Sequence, residues 1–204
     1  MANAAAPSDG QCTQWLCDMP NSNLIDQLRE AQSALAEDRI ADAIGILDEL
    51  VRIGDSEAMF LRSQIGLENE TEENFWARSL ALLREASSKQ HGGAAYQLCT
   101  LLEQGDAVAK DEKQARALLD QAAQAGHPHA LWRAGLIRLY GEGDTAPDPE
   151  EGKKMIEEAA AKRSQGALRT LAKFHEDGSF GYSQDLEVAK RLRDAAESDD
   201  AVPI

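Results

Sequence analysis

Long apolar runs, paired cysteines, excess basic charge and β-branched stretches are all scarce in this chain, and each scarcity removes a class of function. No segment is long and apolar enough to span a bilayer. The first twenty residues hold Asp9 and Asp18, no lysine or arginine and no apolar core, which does not describe a secretory signal. Read as complete from Met1, the chain is expected in the cytoplasm. Cysteine occurs three times, at Cys12, Cys17 and Cys99, and an odd count does not make a disulfide framework. Cys12 and Cys17 are close enough for a redox pair or part of a metal site, but no second cysteine pair or nearby histidine completes a zinc tetrad. Also missing are a phosphate loop, a dinucleotide fingerprint and a nucleophile elbow, so no catalytic residue, metal or cofactor is assigned.

What is present favours helix. Alanine, leucine, glutamate and aspartate dominate a composition that is 43% hydrophobic and 28% charged. The formal net charge of -15 repels phosphate backbones and anionic membrane faces, which argues against nucleic acid and for a basic partner surface. Laid on itself, the chain repeats. Asp111, Ala115, Leu118-Leu119 and Ala122-Ala123 set a spacing that returns at Asp148, Gly152, Met155-Ile156 and Ala159-Ala160, and again at Asp185, Ala189, Leu192 and Ala196. Earlier copies start at Phe75 and Arg39, so the five starts lie 36, 36, 37 and 37 residues apart. A second helical element precedes each start, beginning near Ala58, Ala94, Ala130 and Ala167, and the Leu24–Glu37 stretch supplies the first of them.

One repeat can be built from these residues. Apolar positions at i, i+3, i+4 and i+7 form a single stripe per helix that must be buried against a neighbour. Small residues such as Ala94, Ala130, Gly135 and Ala167 sit where two helix axes come close. Gly105, Gly141 and Gly178 are expected to end the first helices, and Asp111, Asp148 and Asp185 to cap the second ones. The fold expected is all-α: a right-handed α-α superhelix, or solenoid, of about five antiparallel helix pairs. Residues 1–21 read as a disordered or irregular leader, 22–54 as a tetratricopeptide-like pair, 55–198 as longer repeats and 199–204 as a flexible tail.

The runs Ala130-Leu-Trp-Arg-Ala134-Gly135, Tyr140-Gly141-Glu-Gly143 and Ala159-Ala160, together with the Gly92–Gly126 copy, resemble the Sel-one-like repeat (SLR). That repeat is a longer relative of the tetratricopeptide repeat, and the resemblance covers about residues 55–200. Gly152 in place of the usual alanine, Tyr182 in the third loop and the absent loop glycines after Ala58 are departures. The resemblance implies a scaffold or adaptor of bacterial assemblies, with a chaperone, regulator or immunity-type inhibitor among the roles it allows. Cys99 alone inside these repeats excludes members stapled by disulfides.

In such solenoids the first helices line the concave side. Two residues after each key alanine the ladder reads Phe60, Tyr96, Trp132, Arg169, a strip suited to gripping a peptide or helix and equally suited to packing between helices. Further along lie Gln64, Thr100, Glu103, Leu136, Leu139 and Lys173, which helical geometry makes the exposed concave positions. The competing reading is a metal- or redox-dependent regulator or enzyme using Cys12 and Cys17, or His127 and His129. The two histidines flank Pro128 at a helix start, where a turn-and-cap role is expected instead. A monomer that binds another protein or peptide is the expectation from sequence.

Overall fold

The computed structural model describes residues 21–143 and 145–198. The expectations placed on the leader, on Cys12 and Cys17, and on the tail at 199–204 lie outside the described residues. Within them run ten helices: α1 (Asn21–Ala36), α2 (Ile40–Arg52), α3 (Ser56–Ser63), α4 (Glu72–Ser88), α5 (Gly92–Gln104), α6 (Glu112–Gln124), α7 (Pro128–Tyr140), α8 (Pro149–Ala161), α9 (Gln165–Asp177) and α10 (Leu186–Glu197). They alternate as the first and second helices of five pairs. The fold is the all-α helix-pair class that the spacing predicts.

Helix boundaries follow local chemistry. Asp111, Asp148 and Asp185 cap α6, α8 and α10, each side chain accepting from a backbone N–H of the first turn at 2.9–3.1 Å. Gly105 and Gly178 stop α5 and α9 at φ of 80° and 65°, a left-handed conformation that glycine adopts without steric cost. Asn69 takes the same sign of φ where the worn copy lacks its loop glycine. A second capping series, not read from the sequence as a series, starts the first helices. Asp55, His91 and His127 each accept the N–H three residues on, and Ser164 holds the fourth place without a side-chain bond.

The chain divides into two compact units, Met1–Ala86 and Ser87–Ile204. This division falls one helix pair later than the expected change of repeat type after residue 54. In the first unit, Ala31, Leu47, Leu50 and Ala58 make the core, with Leu24, Leu28, Ile46 and Leu61 against it. Arg78 on α4 ties that helix to the end of α3, donating to the carbonyls of Arg62 and Ile65 and to both carboxylate oxygens of Glu70.

One continuous core runs through the second unit, from Ala95 and Cys99 on α5 to Leu171 and Phe174 on α9. Leu119, Leu139 and Ile156 are at most 2% exposed, and each contributes about 2 kcal/mol by leaving water. α7 and α8 cross closely. A Cβ on Gly152 would lie 2.6 Å from the Leu139 nitrogen, and one on Gly135 would lie 2.8 Å from Ile156 Cγ1. Gly152, a departure from the repeat pattern, is therefore what lets these two backbones meet.

Candidate functional site

The sequence places the candidate partner-binding residues on first helices, and the structure separates them by exposure. In the first unit, Phe60 is half-buried on α3 and Gln64, just past that helix, is exposed. In the second unit, Arg169 and Lys173 are exposed on α9, and Tyr96, Thr100, Glu103, Trp132 and Leu136 are half-buried on α5 and α7. Leu139 does not belong with them. It is 2% exposed and sits in the core beside Gly152, because the close α7–α8 crossing turns that side chain inward.

The aromatic ladder does not stack ring upon ring. Tyr96 and Trp132 each rest instead on the start of the next pair. Tyr96 stacks on His127, ring centroids 4.7 Å apart, and reaches His129 at 6.0 Å. Trp132 lies where a Cβ on Gly166 would come within 2.6 Å of its indole, and its Nε1 donates to Thr170 Oγ1 at 3.0 Å. The repeat position of Gly166 is that of His129, so a fifth-position aromatic meets a second-position residue in both joints. Arg169 holds the same place in the last described pair and is exposed.

Charge surrounds these rings. Arg133 on α7 reaches back to Glu103 on α5 at 2.7 Å and stands 5.9 Å over the Tyr96 ring. Lys173 pairs with Asp177 at 3.0 Å, and Glu176 with Arg193. The exposed Lys173–Asp177 pair adds little stability and remains free to exchange partners. Cys99 lies under this face, fully buried; burial first and the Glu103 carboxylate second push its thiol up to about 11, so it is not a nucleophile at neutral pH.

His127 and His129 do what a turn and a helix start require. His127 Nδ1 accepts the Ala130 N–H, and both rings pack on Tyr96. Among the described residues no three His, Cys, Asp or Glu side chains gather as a metal ion would need, and no helix is long and apolar enough to cross a membrane.

The Sel1 repeat model matches residues 93–127, 128–164 and 167–192, which are the three pairs of the second unit. A Sel1 repeat protein from Oxalobacter formigenes is similar in structure, with a TM-score of 0.62 and 22% identity over 76% of this chain and 44% of its own. A protective antigen present in uropathogenic Escherichia coli strains, displaying an SLR fold, is similar with a TM-score of 0.57 and 20% identity over 75% of this chain and 32% of its own. The chain thus spans less than half the length of either one. At these identities the likeness establishes the fold.

Proposed function

We propose, from the premise that this chain is a Sel1-repeat protein, that it is an interaction scaffold holding a partner protein or peptide on its first-helix face. Proteins of this repeat type generally act as protein–protein interaction scaffolds. One observation carries the choice of face. Tyr96 and Trp132 are locked from below by the next pair yet remain half-exposed, so a partner meets rigid rings that lose little freedom on binding. Glu103, Arg133, Arg169 and Lys173 supply a charged rim around them. The -15 charge of the chain favours a basic partner. In this reading the protein works in the cytoplasm as a monomer, as an adaptor, chaperone, regulator or immunity-type inhibitor.

The test uses exposed residues, because truncating Tyr96 or Trp132 would also damage a joint. Affinity capture from the source organism is run with wild type, Arg169→Glu/Lys173→Glu and a control, Lys154→Glu, on α8. A basic partner of this face should bind the double variant about 10-fold or more tightly than wild type, because two cations that repel it become acids, with the control unchanged. Equal affinity for all three would overturn the choice of face, and light scattering of the pure chain at twice the monomer mass would overturn the monomer.

A further inference from the structure

Where α5 meets the start of α7, three rings close on one another. Tyr96 lies over His127, and the His127 and His129 centroids are 5.9 Å apart. Gly92 makes room for them, since a Cβ there would stand 3.2 Å from the His127 Cβ. Both imidazoles are in use as neutral groups. His127 Nδ1 accepts the Ala130 N–H at 3.4 Å, and a protonated ring has no lone pair to offer there. His129 is 7% exposed, and among the described residues nothing pairs with its Nε2, so a proton placed on that nitrogen would be buried without an acceptor.

The surroundings do not compensate such a charge. His129 and His91, the latter on the turn before α5, both oppose a proton on His127. Arg133 on α7 adds a guanidinium over Tyr96, and its partner Glu103 on α5 is committed to it. From α8, Lys162 stands beside Gly126, and α6 meets the group through the Ala122 carbonyl, which accepts the His127 N–H at 3.0 Å. Burial, then these two histidines, hold His127 down to about 4, and burial alone lowers His129.

We propose that the Tyr96–His127–His129 group is a pH-sensitive joint: proton uptake by the two imidazoles removes the cap of α7 and parts it from α5 in mild acid. The sign follows from linkage. His127 titrates near 6.5 when the chain is opened and near 4 when it is closed, so its stabilising contribution is complete above 6.5 and declines as pH falls toward 4. The joint would titrate in this way whether or not the first-helix face binds a partner.

Backbone amide exchange on the full chain reads this directly, with wild type compared with His127→Asn/His129→Leu, in which asparagine retains a cap that does not titrate. After correction for intrinsic exchange, opening at Leu131–Ala134 in wild type should rise about 20-fold between pH 7 and pH 5, the linkage value for one imidazole shifted from 6.5 to about 4. The double variant should change less than about 3-fold. An equal pH dependence in the two proteins overturns the proposal. Should the variant fail to fold, NMR titration of the wild-type imidazoles decides: a His127 midpoint below 5 supports the joint, and one at 5 or above overturns it.

Discussion

Arg78 and Glu70 show how much a single pair can organise. The guanidinium donates to four oxygens, two of them backbone carbonyls at the end of α3, and the Glu70 side chain opposite it is only 9% exposed. Hydrogen bonds from Arg78, then the Leu67 N–H, hold the Glu70 carboxyl down to about 2. A depressed carboxylate contributes stability that is complete above its unfolded value of 4.5 and is lost as pH falls toward 2. Glu70→Gln should therefore lower the urea midpoint at pH 7 and lower it by less than half as much at pH 3, relative to wild type, as unfolding curves at the two values would show. No sequence pattern announced this pair, because an arginine that joins a helix to a loop eight residues away has no periodic signature. Tyr96 and Trp132 were legible as a ladder from their spacing. What they touch was not, since the partner residues His127, Gly166 and Thr170 become neighbours only when one pair is laid on the next.

Among the elements, the second helices were the most legible. Their aspartate caps recur at fixed intervals, and a cap is a local device that sequence states in full. The first-helix caps were harder to see because aspartate, histidine and serine share the place, and one of them, Ser164, makes no cap bond. Gly152 shows the opposite limit. Against the repeat pattern it reads as a fault, yet its missing side chain is the condition for the α7–α8 crossing, where Leu139 N lies 2.6 Å from the empty Cβ position. Restoring the family's alanine should therefore destabilise the protein. Gly152→Ala is expected to cost about 1–3 kcal/mol through forced separation of the two backbones, despite alanine's better helix propensity, and urea unfolding would measure it. A stabilised variant would mean that the crossing relaxes freely.

At the scale of the whole chain, repeat type and compactness divide the sequence at different places. The family match begins at residue 93 and the second compact unit at Ser87, so the pair α3–α4, read as a worn repeat from sequence, groups with the first unit. Periodicity registers that pair because its apolar spacing survives, whereas compactness depends on contacts that spacing does not state. The division predicts that residues 87–204 fold alone. A fragment starting at Ser87 should show helical circular dichroism and a cooperative melt, and a featureless unfolding curve would refute it. Charge follows the same division: residues 1–86 carry sixteen acidic side chains against six arginines and no lysine. The acidity counted over the full sequence is thus concentrated in the part that the family model does not match.

The joints of the second unit also bear on how such an array can be rebuilt. Trp132 needs the empty Cβ position of Gly166 and the hydroxyl of Thr170, while Tyr96 needs the flat faces of His127 and His129. Duplicating the α7–α8 pair in tandem would set the indole of one copy against the second copy's counterparts of His129 and Arg133, where there is no room and no hydroxyl. The pairs share a backbone but cannot be shuffled. Each carries a plug and a socket, and the order of the repeats is written in which plug fits which socket.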